Sequence, residues 1–192
     1  MVPVYYAICM GIALSACCGF RIFLPLLVAA LAGHWGLIPL QHDMAWLGSW
    51  PAIICFGTAT VLEIAAYYIP VVDNVLDALA APLAVGAGTL AAVSLFPAGE
   101  WEPLWRWVLA ALAGGTLAGG IQLGSGLLRL LSTKTTAGAG NAAVATGENV
   151  AALGGSVGAV FVPVLTALLL LLLAAWLFFR VLKRIFSRKK DK

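Results

Sequence analysis

Long apolar runs dominate this chain and constrain its fold more than any other feature. Runs of roughly 20 apolar residues, the length that a helix needs to cross a hydrocarbon layer, are numerous enough for about five or six helices. Hydrophobic residues make up 62% of the sequence and charged residues only 10%, against about 25% charged residues in soluble domains. Because so few polar groups cannot cover a surface in water, the sequence predicts an all-α, polytopic transmembrane helix bundle of five to six spans.

The span boundaries follow from helix breakers and from a Trp-rich stretch at 34–50, which is typical of a membrane interface. Gly19, Pro25 and Pro82 loosen or kink helices, so broken or re-entrant helices are expected. If 142–179 is one tilted helix rather than two, the count is five, and the sequence leaves five against six open. The predicted spans are 2–33 (one long or broken helix), 51–69, 73–96, 104–131, 142–161 and 164–179.

The C-terminal tail at 180–192 carries seven basic residues and one acidic residue. Under the positive-inside rule it predicts a cytoplasmic C-terminus on a single transmembrane domain at 1–179. The lipid bilayer is therefore the expected partner, and the tail is suited to contact anionic lipid. Nucleic-acid binding is not favoured, since no folded basic surface accompanies the tail. The oligomeric state stays open.

Arg21, Glu63 and Glu148 are the most informative of the ionisable residues inside the predicted spans. Such groups are expensive in a membrane and mark either mutual pairing or a pathway for a solute or proton. One alternative is a structural ion pair of Arg21 with Glu63 or Glu148. The other is a substrate or ion pathway that uses all three.

A second polar group, Asp73, Asn74 and Asp77, follows the tight connection at Pro70. The two carboxylates are four residues apart and share one helix face, so they are candidates to hold a cation or share a proton. Capping of the helix N-terminus is the alternative.

The stretch 132–141 is predicted to be a flexible polar loop, whose groups could line a pore or cradle an anion. The Gly-x-x-x-Gly pairs at 115–119 and 120–124 indicate close helix packing. His34, His42 and Asp43 could bind a metal on the outer face, but isolated interfacial histidines rarely do so; neither a metal site nor a cofactor is predicted. The candidate polar-loop residues are Ser132, Thr133, Thr135, Thr136 and Asn141.

Three stretches together resemble a known family: 18–27 (CGFRIFLPLL), 63–77 (EIAAYYIPVVDNVLD) and 132–141 (STKTTAGAGN). In this order they are similar to the bacterial membrane family called domain of unknown function 4126, over nearly the whole chain. The resemblance implies an integral protein of a bacterial inner membrane and brings no established activity or ligand.

The favoured hypothesis is a small transporter or channel for an ion or small polar solute. In it, Arg21 attracts or gates an anionic group, while the carboxylates of Glu63, Asp73, Asp77 and Glu148 bind a cation or relay protons. The first alternative is a structural or scaffold membrane protein, in which the charges only pair and cap. The second is an intramembrane enzyme acting on a lipid-linked substrate, although the chain is not expected to be an enzyme.

Overall fold

The computed structural model describes residues 3–68, 70–99, 102–136 and 140–188, with the backbone alone at 70–78, 131, 134–135, 177–178 and 180–188. Within these ranges the chain is all-helical, with no strand, as predicted. A 3₁₀ helix (His42–Gly48) precedes α3, and a π-helical turn (Ala111–Gly115) joins α5 to α6. The eight α-helices are α1 (Val4–Cys18), α2 (Phe23–His34), α3 (Trp50–Ala66), α4 (Pro70–Val93), α5 (Pro103–Ala110), α6 (Thr116–Thr136), α7 (Asn141–Phe161) and α8 (Pro163–Arg188).

The stretch 2–33, expected to be one long or broken helix, reverses direction instead. α1 runs antiparallel to α4. The hydroxyl of Ser15 donates to the carbonyl of Gly88 at 2.6 Å, whereas Gly11, earlier on α1, lies against the backbone of Ala92, later on α4. The chain leaves helical geometry after Cys18 and enters α2 at Phe23.

α2 then runs antiparallel to α3, with Leu27 against Gly57 and Gly33 against Gly48. The residue before the 3₁₀ helix, Gln41, donates its backbone N–H to the carbonyl of Ser94 at 2.9 Å, just after α4 ends. We call this the upper end of the bundle. α1 and α2 therefore form a helical hairpin that begins and returns at the upper end, with its tip at residues 19–22.

The hairpin tip fits into the bundle because residue 19 has no side chain. A Cβ atom on Gly19 would lie 2.5 Å from the carbonyl oxygen of Ala118 and 2.6 Å from the Cβ of Ile121. Separations under 3 Å require the backbone to move. Gly19 is thus needed for a close approach to α6, beyond any role in loosening the helix.

Small residues also join α4 to the π-helical turn and α6. A Cβ on Gly114 would lie 2.6 Å from the carbonyl oxygen of Gly88, and one on Gly119 would lie 2.7 Å from Val85. The predicted close packing of the first Gly-x-x-x-Gly pair is confirmed, since Gly115 and Gly119 both face α4. In the second pair, Gly120 faces open space.

The last two helices fold back on each other at Val162. A Cβ on Gly158 would lie 2.9 Å from the hydroxyl of Thr166, and one on Gly155 would lie 3.8 Å from Leu170. Residues 15 positions apart in one straight helix would be separated by about 22 Å. α7 and α8 are therefore a tight antiparallel hairpin and not one continuous helix.

α6 continues further than predicted, through Thr136, so Ser132, Thr133 and Thr136 lie on a helix instead of in a loop. The hydroxyl of Thr133 donates to the carbonyl of Arg129 at 3.0 Å, and that of Thr136 donates to the carbonyl of Ser132 at 2.7 Å. These bonds to the preceding turn let hydroxyl residues remain helical.

One helical stretch of the described ranges, Pro103–Leu130, is long and apolar enough to cross a membrane uninterrupted. The count rises to two if the 3₁₀ helix and α3, which meet at 57°, are taken as one broken span. The five to six spans expected from composition are not all present as such helices among the residues whose side chains the structure describes. Shorter apolar helical stretches in that part of the chain are Val4–Cys18, Phe23–His34, Leu79–Val93 and Pro163–Trp176.

Candidate functional site

The hairpin tip is held by a carboxylate from a neighbouring helix. Glu63, near the end of α3, accepts the backbone N–H of Ile22 at 2.7 Å and that of Phe23 at 3.0 Å. The first N–H groups of a helix have no partner within the helix, so Glu63 serves as the N-terminal cap of α2. This role requires the hairpin, because it brings residues 41 positions apart into contact.

Arg21 lies at the centre of the tip and is completely buried. Its Nε donates to the side-chain oxygen of Asn149 at 2.5 Å, and its Nη2 donates to the carbonyl of Ala145 at 3.0 Å. Nη2 also lies 3.5 Å from a carboxylate oxygen of Glu148. The remaining nitrogen, Nη1, is buried and has no hydrogen-bond partner among the described residues.

A second buried arginine, Arg129 on α6, contacts the same carboxylate. Its Nε donates to Oε1 of Glu148 at 3.2 Å, and its Nη2 forms an ion pair with Oε2. The hydroxyl of Ser125, one turn earlier on α6, also donates to Oε1. Glu148 is therefore bound closely from the α6 side and more loosely from the side of Arg21.

Tyr67, just after α3, completes the cluster. The guanidinium carbon of Arg21 lies 4.0 Å from the centre of its ring, and that of Arg129 lies 4.1 Å from it. Cations within about 6 Å of an aromatic ring centre are attracted by the ring, so Tyr67 favours the approach of two like charges. We call Arg21, Glu63, Tyr67, Arg129 and Glu148 the lower cluster.

The structure brings the three predicted intramembrane residues together, since Arg21, Glu63 and Glu148 all belong to the lower cluster. Of the two carboxylates predicted as partners of Arg21, Glu148 forms the ion pair, while Glu63 bonds to backbone amides. Arg21 reaches the others because it lies at a hairpin tip, and not midway along a spanning helix.

The second predicted group lies at the start of α4. The side chains of Asp73, Asn74 and Asp77 fall outside the described part of the chain. From the polar-loop group, Asn141 begins α7, and its amide nitrogen donates to the hydroxyl of Thr133 at 2.9 Å. The side chain of Thr135 is also outside the described part.

Sequence reasoning missed three functional candidates: Arg129, Tyr67 and Asn149. Arg129 lies near the end of the predicted span at 104–131, where the positive-inside rule favours a cytoplasmic charge. A signal was present, because Ser125 and Arg129 are four residues apart and share a helix face with polar character. Tyr67 and Asn149 gave no such signal, since their role depends on how α3 and α7 pack.

Two cavities reach the lower cluster. One, of about 300 Å³, has Glu148 and Ser125 as its polar groups; the other, of about 280 Å³, lies between α2, α3 and α4 and has Glu63 and Tyr67. The remaining lining is apolar in both. Phe20, Ile121, Leu128, Val144, Gly147 and Ala151 line the first cavity.

A separate ion pair lies at the upper end. Arg106, buried on α5, donates from Nη1 to Asp43 of the 3₁₀ helix at 3.1 Å, and its Nη2 contacts the other carboxylate oxygen. Asp43 is half-exposed, at 49% of its side chain. The hydrogen bonds from Arg106 hold the pKa of Asp43 below its ordinary range. Among the described residues, no group of three His, Cys, Asp or Glu side chains is arranged to hold a metal ion.

Comparison with known proteins gives one match. The family described as "Domain of unknown function (DUF4126)" matches residues 8–184. No curated protein and no solved structure matches the chain. The matched range contains the hairpin tip and the whole lower cluster, and the chain belongs to the domain of unknown function 4126 family.

Proposed function

We propose that this protein is a multi-pass protein of the bacterial inner membrane, with a cytoplasmic C-terminus, that passes small anions through the lower cluster. The proposal extends the transporter or channel hypothesis by naming the sign of the solute. In it, the basic tail at 180–192 contacts anionic lipid headgroups.

Support for a membrane location comes from the outward faces of the helices. Soluble monomers rarely expose contiguous apolar patches larger than a few hundred Å², yet large apolar side chains face outward on most helices. Lipid is the solvent in which this surface is stable, and hairpins of short helices are compatible with a bilayer where their tips are buried in protein. Examples from α3, α6 and α8 are Ile54, Val61, Leu62, Leu123, Leu127, Leu165, Leu168, Leu169 and Leu172.

One observation carries the choice of an anion: two buried guanidinium groups, those of Arg21 and Arg129, converge on the single carboxylate of Glu148. Guanidinium groups bind carboxylates and other oxyanions through several parallel N–H donors. Nη1 of Arg21 retains an unused donor among the described residues. A buried polar donor without a partner is costly, and an incoming anion would satisfy it.

The carboxylates of the cluster are less suited to a cation. Glu148 already neutralises positive charge from two arginines, and both carboxylate oxygens of Glu63 already accept backbone N–H groups. A cation or proton pathway through Asp73, Asn74 and Asp77 stays a separate prediction.

Flux measurements test the proposal. The full-length protein is reconstituted into phosphatidylethanolamine–phosphatidylglycerol vesicles with valinomycin, and swelling after addition of potassium chloride, nitrate or formate is followed by light scattering. We expect faster swelling than in empty vesicles for at least one anion, and a return to the empty-vesicle rate in Arg21→Gln.

The matched control is Asp43→Asn, which alters an arginine–carboxylate pair at the opposite end of the bundle and should leave the flux unchanged. If no anion enters faster than in empty vesicles, the transport proposal is abandoned. The charges then serve only to hold the hairpin, as in a scaffold protein.

A further inference from the structure

We infer that the carboxylate of Glu148 is a tethered anion that competes with a free small monocarboxylate, of the size of formate, for the guanidinium groups of Arg21 and Arg129. The inference deepens the proposed function, on which it rests for its role in the cell, by naming a substrate class and a residue that excludes it.

The first argument is the asymmetry of the contacts around Glu148. Arg129 and Ser125 bind it on the α6 side, whereas its closest approach to Arg21 is 3.5 Å, longer than a normal hydrogen bond. The neutral groups of Asn149 and Ala145 make the shorter contacts with Arg21. Glu148 can therefore leave Arg21 without breaking the shortest bonds of that arginine.

The second argument is the unused donor of Arg21. Nη1 lies on a completely buried side chain and has no hydrogen-bond partner among the described residues. Nη1 and Nη2 together form an edge whose geometry matches the two oxygens of a carboxylate. Glu148 occupies this edge incompletely, because it approaches Nη2 alone.

The third argument is access and size. The cavity of about 300 Å³ is lined by Glu148 itself and by Ser125, so a solute that enters it can contact the carboxylate that both arginines bind. A volume of this kind lies at the small end of ligand pockets and suits an anion of a few heavy atoms. The apolar remainder of the lining offers no further charged partner, which favours a monovalent anion over a multivalent one.

Competition follows from charge. Two carboxylates that share one site repel each other, so they do not occupy the same guanidinium groups together while both are ionised. With Glu148 in place, the site is closed to a free carboxylate. When Glu148 is neutral or displaced, the arginines are open to one.

The test measures binding of sodium formate to the purified full-length protein in detergent, read as the formate concentration that gives half of the increase in Tm. We expect Glu148→Gln to lower this concentration at least tenfold relative to the wild type. The double variant Arg21→Gln/Glu148→Gln should lack the specific increase in Tm with formate. Any increase that remains in it measures the general effect of salt on stability. Asp43→Asn, which neutralises the arginine-bound carboxylate at the upper end, should behave as the wild type.

Glu148→Asp covers the case in which Glu148→Gln does not fold. It keeps the charge but withdraws the carboxylate by one methylene, so we expect it to bind formate more tightly than the wild type. Equal formate dependence in the wild type and in the variant that folds would overturn the inference, and so would an unchanged effect in the double variant. Because this is an equilibrium measurement in detergent, its failure is distinguishable from an absence of flux in vesicles.

Discussion

The two ends of the bundle bury arginine in different ways. In the lower cluster, Arg21 and Arg129 are buried together with their partner Glu148, which is 6% exposed. At the upper end, Arg106 is buried but its partner Asp43 is half-exposed. The carboxylate of Asp43 stays half-exposed to solvent if the upper pair separates, whereas Glu148 would be left almost completely buried. From this comparison we expect an arginine–carboxylate pair to stabilise the fold strongly at the lower end and to contribute little at the upper end.

The largest effect is expected from removing one partner of the lower cluster. Arg21→Ala leaves the buried carboxylate of Glu148 with one arginine fewer, and breaking a buried pair typically costs about 3–5 kcal/mol. The free energy of unfolding, measured by titration of mixed micelles with SDS, should fall by this amount. The control is Arg106→Ala, which leaves behind only a half-exposed carboxylate and should cost less. Equal losses would remove the distinction between the two ends.

A smaller loss is expected when the cap of the hairpin is removed. Glu63→Ala leaves the N–H groups of Ile22 and Phe23 without their acceptor, and an unsatisfied buried group costs about 1–3 kcal/mol. Glu63→Gln keeps one acceptor oxygen and should lie between Glu63→Ala and the wild type in the same unfolding assay.

The matched control for the cap is Ser49→Ala. Ser49 caps α3 at the upper end from the adjacent position in the chain, with the N–H of Ala52 at 3.4 Å. The loss of such a local cap costs about 1 kcal/mol. A loss from Glu63→Ala no larger than that from Ser49→Ala would show that the long-range cap adds nothing to an ordinary one.

A comparable loss should follow from filling the space between the hairpin tip and α6. Gly19→Ala places a methyl group 2.5 Å from the carbonyl oxygen of Ala118, and overpacking of this kind costs about 1–3 kcal/mol. Thermal unfolding in detergent measures it. Gly120→Ala is the control on the open face of α6, where nothing lies within 4 Å. Gly120→Ala should leave the Tm unchanged or raise it, since alanine favours helix over glycine. Similar Tm values for Gly19→Ala and Gly120→Ala would contradict the close approach of the hairpin tip to α6.

The smallest effect concerns the upper pair and depends on pH. The pKa of Asp43 is lowered in the folded protein by Arg106, so its contribution to stability is present above the unfolded pKa of about 3.9. This contribution is lost as the pH falls through the folded pKa. Asp43→Asn should change stability by less than about 1 kcal/mol at pH 5–8 and should lack this acid-dependent component. Superimposable pH profiles of the two proteins below pH 5 would contradict it.

Much of the secondary structure could be predicted, because apolar runs and breakers act locally. The helix at 104–131 is observed from Pro103 onward, and α3 begins within one residue of its predicted start. A carboxylate partner for Arg21, either Glu63 or Glu148, was also predictable, since buried charges need partners; the choice of Glu148 was not. The continuation of α6 through Thr136 was not, because serine and threonine hydroxyls can bond either to a preceding turn or to a loop.

The sequence by itself determined that this protein is helical, strongly apolar outside, and obliged to pair a few internal charges. The family follows from the sequence as well, through the match over residues 8–184. Only the tertiary structure decided that 2–33 is a hairpin, that Glu63 caps α2, and that Arg129 and Tyr67 join the cluster. The physical reason is distance along the chain. Periodicity and composition report on neighbours within a few turns, whereas these contacts join residues 19 to 128 positions apart and depend on how close the glycines allow the helices to come.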